Sequence, residues 1–435
     1  MSHSELAVHF FLQLAVILAA CRLVGLVAVR IGQPQVVGEM VAGVLLGPSL
    51  LGVFAPAWQA QLFPQGAAMS LIYASSQVGV VLYMFLVGLE FDVNLIRHRV
   101  PSAVSVSLAG VVAPLILGSF VALLLVSDSG RYFPGGVPTW QAMLFMGSAI
   151  AITAFPVMAR IIADRRLSGT SLGTLALASG AAADALAWCL FAIVLAVFKK
   201  SPLIAVLAIG GGALYAIAVL TVGRRLLARL GTRAERDGGV SPPMFAVVLT
   251  VLMVAAWFTD FIGIYAVFGA FILGAAMPRG IFGRQVRQAL EPLVTNFLLP
   301  LFFVFSGLNT QIGLVNSVGL LGIALLVLVV SVVGKFGACW LAARLNKEPQ
   351  RDALALASLM NARGLMELIL LNIGLQVGLI TPTLFTILVF MAIVTTLMAT
   401  PLYELVYGRY RQLPMSGAFL PSVGGSAELA AATRE

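Results

Sequence analysis

The chain is a succession of apolar runs, each about as long as a bilayer is thick. A membrane-spanning helix needs about 20 mostly apolar residues, and about 13 runs of the sequence meet that length. They start near Leu6, Val36, Met69, Ala103, Thr139, Ser168, Pro202, Pro242, Ile262, Pro292, Ser317, Asp352 and Pro382. Because lipid cannot satisfy backbone polar groups, such runs fold as helices. The sequence therefore predicts an all-α polytopic membrane protein with about 13 transmembrane helices.

Composition supports that fold class and excludes several functions. The chain is 60% hydrophobic and 10% charged, whereas soluble domains average about 25% charged residues. The net charge of +9 does not indicate nucleic acid binding, because the basic residues lie in short gaps between apolar runs. Cys21, Cys189 and Cys339 lie inside apolar runs without metal-ligand spacing. With no phosphate-cradling Gly-Lys-Ser/Thr loop and no nucleophile–base constellation, we expect a lipid-embedded protein that is not an enzyme and has no cofactor or metal.

Lysine and arginine are confined to alternate loops, which predicts the orientation. The basic loops carry Arg30, Arg97, Arg99, Arg160, Arg165, Arg166, Arg224, Arg225, Arg229, Arg233, Arg236, Arg279, Arg284, Arg287, Arg344, Lys347, Arg351, Arg409 and Arg411. The other loops carry Arg131, Lys199 and Lys200. We therefore expect the N-terminus outside a cell membrane (the inner or plasma membrane) and the C-terminus in the cytoplasm. Residues 1–411 form the predicted transmembrane domain, and the Gly-, Ala- and Ser-rich residues 412–435 form a disordered tail.

Two pairs of segments indicate an internal repeat. Residues 83–96 read YMFLVGLEFDVNLI, and residues 302–315 read FFVFSGLNTQIGLV. Upstream of each lies a second matching pair, AGVLLG at 42–47 and GAFILG at 269–274. The predicted orientation makes the two copies inverted relative to each other. Inverted repeats are typical of secondary transporters, whose sites lie near the midplane between broken helices. Chance similarity between apolar segments is the alternative.

Asp184 is the clearest ionisable residue in the predicted membrane interior. It lies near the middle of its run, in SGAAADALAW, where a charge costs about 2.5–3.5 kcal/mol. Its small neighbours let other helices approach closely. A carboxylate there can bind a desolvated cation through oxygen or take up a proton. Asp184 is therefore the predicted site of cation and proton binding, and the alternative is an aspartate that caps a broken helix.

Three more charged residues lie in apolar runs. Lys335, in VVGKFGACW, needs a partner when buried. We expect it to pair with Asp184, and the alternative is a lysine bound to a helix end. Arg363 and Glu367, in LMNARGLMELIL, share a helix face at i,i+4 spacing and can neutralise each other. A structural pair is the favoured interpretation, and a direct role for Glu367 in the ion path is the alternative.

Helix breaks are predicted in the fifth and twelfth runs. Thr153 and Pro156 lie mid-run in AITAFPVMAR, where proline removes a backbone donor. The freed carbonyls and the Thr153 hydroxyl are expected to line a polar cavity and to contribute to the cation site. Asn361 with Gly364 is predicted to mark the matching break in the second copy. Glu39, near the start of the second run, is interpreted as a surface-level carboxylate rather than a site residue.

Six stretches in this order make the resemblance to a known family specific. The chain resembles the monovalent cation:proton antiporter-2 family, which contains bacterial sodium/proton antiporters, potassium-efflux systems and plant cation/proton exchangers. The stretches are GQPQVVGEMVAGVLLGPSLLG from Gly32, FLVGLEFD from Phe85, SAIAITAFPVMARII from Ser148, AADALAW from Ala182, LPLFFVFSGLNTQIGL from Leu299 and LMNARGLMELILLNIGL from Leu359. They cover the first helix to the twelfth.

The resemblance implies a fold and a mechanism. A dimerisation bundle holds still while a core bundle with two crossing broken helices moves like an elevator, and the TAFP and MNARG stretches are the breaks. The aspartate that aligns with Asp184 carries the cation and the proton in the family, and the lysine that aligns with Lys335 is its basic partner. The expected protein is a homodimeric secondary antiporter that exchanges Na⁺ or K⁺ for H⁺.

One departure from the family pattern bears on stoichiometry. The family has Asp, Asn or Gln just before the carrier aspartate, and this chain has Ala183. With one carboxylate, the expected exchange is one proton for one cation, hence electroneutral. We expect no nucleotide-sensing domain after the last helix, and this expectation argues against a ligand-gated potassium-efflux system. A cation efflux channel and a proton-coupled transporter of an organic ion are the alternative functions.

Overall fold

A computed structural model describes residues 3–31, 33, 35–64, 66–91, 99–128, 130–198, 201–308, 318–363 and 365–407. Within these ranges every regular element is a helix. The helices are α1 His3–Arg30, α2 Gln35–Leu46, α3 Leu51–Phe54, α4 Pro56–Leu62, α5 Ala67–Glu90, α6 Val100–Val126, α7 Thr139–Ala151, α8 Phe155–Asp164, α9 Ser171–Phe198, α10 Pro202–Ala218, α11 Arg224–Arg236, α12 Pro242–Phe261, α13 Ala266–Ala276, α14 Ile281–Leu293, α15 Leu299–Leu308, α16 Val318–Leu345, α17 Gln350–Met360, α18 Leu365–Gln376 and α19 Pro382–Tyr407. Single π-helical turns at Val219–Gly223 and Val294–Leu298 join α10 to α11 and α14 to α15.

The number of membrane-spanning segments agrees with the prediction. In the described residues, 11 helical segments are long and apolar enough to cross a membrane, judged by length and composition. The other two predicted runs form the short helix α13 and the two half-helices α17 and α18. The ninth run was expected to begin near Ile262. Its helix begins at Ala266, because Gly263 and Tyr265 adopt positive φ angles of 88° and 77° and form a turn.

Large apolar side chains cover much of the outer surface. Phe11 on α1 is 68% exposed and Leu214 on α10 is 67% exposed, and both helices carry several similar side chains. Contiguous apolar surface of this extent is unfavourable in water. Together with the length of the helices, it makes the chain a multi-pass membrane protein whose exposed apolar faces contact lipid.

The helices separate into two bundles according to which helices contact each other. The core bundle consists of α6–α9 and α16–α19, and α6 packs extensively against α7 and α16. The outer bundle consists of α1, α2, α5 and α10–α15, and α5 packs extensively against α13. The two bundles meet where α8 contacts α2 and α5, where α15 contacts α18, and along α9 and α10. This boundary passes beside the break between α7 and α8.

Close glycine contacts link the two sequence copies in the outer bundle. A Cβ atom added to Gly88 would lie 2.3 Å from the Phe271 carbonyl oxygen and 2.9 Å from Gly274 Cα. A Cβ atom added to Gly47 would lie 3.1 Å from the Gly307 carbonyl oxygen. Since Gly88 corresponds to Gly307 and Gly274 to Gly47, exchanging the copies maps one contact onto the other. The contacts are those expected of two copies related by a two-fold axis.

Candidate ion-binding site

The two broken helices cross inside the core bundle. The helix α7 ends at Ala151 and α8 begins at Phe155, while α17 ends at Met360 and α18 begins at Leu365. The breaks touch, because the Ala154 backbone N–H donates to the Ala362 carbonyl at 3.0 Å. Four helix ends therefore converge in the interior. Helix N-termini carry partial positive charge and C-termini partial negative charge, so the crossing offers places for ions of both signs.

Asp184 lies on α9 beside this crossing. The residue is 2% exposed, and its carboxylate faces the backbone N–H of Phe155, the first residue of α8, and the side chain of Trp188. A helix N-terminus stabilises a carboxylate. Its second oxygen, Oδ1, has no hydrogen-bond partner among the described residues. The sequence had left open whether Asp184 binds ions or caps a broken helix. The geometry supports both, since one side of the carboxylate faces α8 and Oδ1 is available to a ligand.

Other buried oxygen atoms near the breaks also lack partners. Thr153 lies in the unwound segment after α7 and is fully buried, and its Oγ1 accepts and donates no hydrogen bond in the described part of the chain. Asn361 ends α17; its amide donates to the Ala357 carbonyl at 3.0 Å, while its Oδ1 is unpartnered. Ser148 Oγ on α7 is likewise unpartnered. Buried polar atoms are normally hydrogen-bonded, so these oxygens are candidate ligands for a cation.

Lys335 binds a helix end, which differs from the expected pairing with Asp184. Its ammonium donates to the Ala151 carbonyl at 2.6 Å and to the Ile152 carbonyl at 2.9 Å. These are orphan carbonyls at the C-terminus of α7, where positive charge is favoured. Lys335 remains one of the charges that act on Asp184, but the two side chains form no ion pair although both are described. The alternative interpretation of Lys335 matches these contacts.

Arg363 and Glu367 meet as their spacing predicts, and Arg363 has further contacts. Its Nη1 lies 3.4 Å from Glu367 Oε2, with both side chains fully buried. Nη1 also donates to the Ala149 carbonyl at 3.1 Å, and Nη2 donates to the Ile150 carbonyl at 2.5 Å and to Ser331 Oγ. Arg363 and Lys335 thus satisfy the last turn of α7 between them. Glu367 Oε1 and Arg363 Nε have no hydrogen-bond partner among the described residues.

Pro156 and Gly364 are the remaining residues that were predicted to lie at the helix breaks. Pro156 occupies the first turn of α8, where its missing N–H has no helical partner to lose. It therefore starts the second half-helix and does not kink a continuous one. Gly364, predicted to mark the other break with Asn361, lies outside the described residues.

A charged cluster at the bundle boundary escaped the sequence analysis. Glu39 is 0% exposed, contrary to the interpretation as a surface-level carboxylate, and it accepts a hydrogen bond from Gln35 at 3.0 Å. The charges that act on it include Arg160 and Asp164 of α8, which lie 3.2 Å apart as an ion pair. The i,i+4 spacing of Arg160 and Asp164 was a visible signal. Their proximity to Glu39 was not, because it involves residues more than a hundred positions apart in the chain.

Access to Asp184 differs between its two sides. A cavity of about 420 Å³ lies on the side of the basic loops, lined by Arg160, Arg166 and Arg287 among others, and reaches Leu177. Leu177 precedes Asp184 by seven residues, or about 10 Å of helix. On the other side, the space between Asp184, Trp188 and Phe191 is only about 10 Å³. Among the described residues, the basic side is therefore open to within two helical turns of Asp184, and the opposite side is nearly closed.

Comparison with known proteins identifies the family. Residues 15–405 match the model of a family described as "Sodium/hydrogen exchanger, transmembrane". The chain belongs to this family. Membership in the sodium/hydrogen exchanger family confirms the resemblance to monovalent cation:proton antiporters and the expectation of a transporter rather than an enzyme.

Individual relatives extend the comparison. The chain is 36% identical over 394 residues to the Na(+)/H(+) antiporter NhaS4 of Synechocystis. The alignment includes 90% of this chain and 95% of that protein. It is 35% identical over 417 residues to the Cation/H(+) antiporter 20 of Arabidopsis thaliana, and this alignment includes 92% of this chain. The chain spans about half the length of that plant relative, 49%. The solved structure of the sodium proton antiporter MjNhaP1 from Methanocaldococcus jannaschii has the same fold, with a TM-score of 0.62 over 92% of this chain and 96% of that one at 15% identity.

Proposed function

We propose that this protein exchanges a monovalent cation, Na⁺ or K⁺, for protons across the membrane, with Asp184 alternately protonated and cation-bound. The observation that carries the proposal is the buried Asp184 carboxylate, which faces the α8 N-terminus and keeps Oδ1 unpartnered. A proton and a cation compete for such a group, since a bare charge is costly in the membrane interior. The names of the relatives, a Na(+)/H(+) antiporter and a Cation/H(+) antiporter, support this chemistry.

The proposed exchange is electroneutral and uses elevator-type movement. Because Ala183 precedes it, Asp184 has no second carboxylate beside it in the sequence. The ammonium of Lys335 donates hydrogen bonds to two backbone carbonyls. One proton for one cation follows. The division into two bundles, with the crossing breaks wholly inside one of them, supports movement of the core bundle against the outer bundle.

The proposed topology places the basic loops in the cytoplasm, with the N-terminus outside a cell membrane, as the Lys and Arg bias favours. The 420 Å³ cavity then opens to the cytoplasm. We further propose a homodimer formed through the outer bundle, whose helices α1 and α10 carry extended apolar faces. The pocket that reaches Asp184 on the other side has a volume of only about 10 Å³, which favours a small cation over an organic ion and alternating access over a continuous channel.

The test is exchange in liposomes with an acidic interior and a pH-sensitive dye, to which Na⁺ or K⁺ is added outside. Wild-type protein should collapse the pH gradient on cation addition, and Asp184→Asn should not. Asp237→Asn, which removes an exposed carboxylate after α11, should behave like wild type. Absence of any cation effect with folded, inserted wild-type protein would contradict the proposal. Activity retained by Asp184→Asn would move the ion site elsewhere.

A further inference from the structure

Aromatic side chains narrow the space next to Asp184 to about 10 Å³ on the side away from the cavity. Trp188 lies one helical turn beyond Asp184 on α9, and its side chain faces the carboxylate. Its ring contacts Phe191 edge-on, with centroids 5.2 Å apart. The indole also stacks on Tyr265, with centroids 4.7 Å apart and an angle of 22° between the rings. Trp188 and Tyr265 are both buried.

Tyr265 belongs to the other bundle and is held firmly there. It precedes α13, and its hydroxyl donates to Gln77 Oε1 on α5 at 2.8 Å. Its φ angle is 77°, a value that is rare and unfavourable for a residue with a bulky side chain. A strained backbone persists only where surrounding contacts impose it. Here the stack on Trp188 and the bond to Gln77 fix the ring at the boundary between the bundles.

We propose that the stacked pair Trp188–Tyr265 is the gate that separates Asp184 from the compartment opposite the cavity, with Tyr265 as its positioning residue. This inference rests on the proposed function, because a gate has meaning only where Asp184 is reached alternately from two sides. Trp188 travels with the core bundle and Tyr265 stays with the outer bundle. Any displacement of the core relative to the outer bundle therefore separates the rings and opens the closed side.

The first test measures passive proton leak in liposomes without substrate cation. Tyr265→Gly removes the ring and also relieves the backbone, since glycine adopts positive φ without cost. We expect this variant to remain folded and to leak protons about tenfold faster than wild type. Tyr265→Phe keeps the stack and loses only the hydrogen bond to Gln77, so its proton leak should equal that of wild type. Combining Tyr265→Gly with Asp184→Asn should abolish the leak, because the leaking protons pass through Asp184.

The controls separate a gate from general damage. Trp257→Ala deletes a large aromatic side chain that is 63% exposed on α12, and it should not leak. If Tyr265→Gly does not fold, Trp188→Leu removes the other half of the stack and should leak in the same way. A Tyr265→Gly variant that leaks protons no faster than wild type would contradict the proposed gate. A leak that persists when Tyr265→Gly is combined with Asp184→Asn would also contradict it. Either result leaves cation-dependent exchange by wild-type protein intact, so failure of the gate is distinguishable from failure of the proposed exchange.

Discussion

At the scale of single residues, the buried oxygens around the α7–α8 break are the proposed ligands of the cation. Asp184 Oδ1, Thr153 Oγ1 and Asn361 Oδ1 are all inside the protein and unpartnered in the described chain. Buried polar atoms without partners are costly unless a ligand satisfies them. A desolvated monovalent cation needs such oxygens, whereas a proton needs only the carboxylate. The difference predicts which substitutions affect the cation selectively.

Replacing Thr153 by valine should weaken cation binding while leaving proton binding intact. The change keeps the shape and removes one oxygen, so we expect a loss of about 1–2 kcal/mol, or about 5- to 30-fold in the half-saturating cation concentration. The measurement is cation titration of dye-reported exchange. Thr250→Val is the matched control, because that hydroxyl is exposed and bonds its own helix at Ala246. Equal cation affinity in Thr153→Val and wild type would remove Thr153 from the site.

Replacing Lys335 by methionine tests its role at the helix end. The Ala151 and Ile152 carbonyls would lose their donor in a buried setting, at a cost of about 1–3 kcal/mol each. We expect a clearly lower Tm in detergent, with the half-saturating cation concentration of the folded fraction changed by less than about threefold. Lys347→Met, at an exposed loop position, should leave Tm unchanged. Normal stability together with lost exchange would instead indicate that Lys335 acts directly on Asp184.

At the scale of helices, close packing of glycine surfaces joins the two sequence copies. The helix α5 meets α13 at Gly88 and Gly274, and α2 meets α15 at Gly43 and Gly307, with backbone atoms in direct reach. Such contacts let membrane helices approach closely where lipid supplies no hydrophobic driving force between them. The outer bundle is therefore tightly interlocked, as the proposed movement of the core bundle against it requires.

Adding a methyl group at one of these contacts should loosen the outer bundle. A Cβ atom on Gly88 would lie 2.3 Å from the Phe271 carbonyl oxygen, and we expect Gly88→Ala to cost about 1–3 kcal/mol. At Gly337 on α16 the Cβ atom meets open space, so Gly337→Ala should stabilise by about 0.5–1 kcal/mol through helix propensity. Thermal unfolding in detergent reports both. If Gly88→Ala were as stable as Gly337→Ala, α5 and α13 would be able to move apart at Gly88 without a measurable loss of stability.

At the scale of the whole molecule, the boundary between the bundles runs between Trp188 and Tyr265 and past Glu39 and Arg160. The open cavity lies on one side of Asp184 and the stacked rings on the other. This asymmetry corresponds to a state that faces the basic loops. Movement of the core bundle would carry Asp184, the two half-helix pairs and the charges that bind α7 as one unit.

The proposed exchange of one proton for one cation predicts an equilibrium pH gradient that does not depend on the membrane potential. A potential of about 100 mV acts on one net charge with about 2.3 kcal/mol, which would shift the equilibrium gradient of an electrogenic exchanger about 50-fold. In liposomes whose potential is set by a thiocyanate gradient, we expect equal end-point pH gradients at either sign of the potential. Ala183→Asp provides the comparison, because it adds a second carboxylate. Potential-dependent end points in wild type would contradict electroneutral exchange.

The sequence by itself determined the membrane environment, the number of spans and the positions of the breaks. Each of these depends on local properties: length and apolarity of runs, and the proline and glycine that interrupt them. It also singled out Asp184, because one charge inside an apolar run is visible without knowledge of its neighbours. The pairing of Arg363 with Glu367 was predictable for the same reason, since i,i+4 spacing fixes a shared face.

Only the tertiary structure decided which partners the buried charges take. Lys335 lies on α16 and Asp184 on α9, and the choice between that carboxylate and the α7 carbonyls depends on how three helices meet. The burial of Glu39 beside Arg160 and the stacking of Trp188 on Tyr265 likewise join residues far apart in the chain. Periodicity and composition describe one helix at a time. Contacts between helices, and therefore the closed side of the site, follow only from packing in three dimensions.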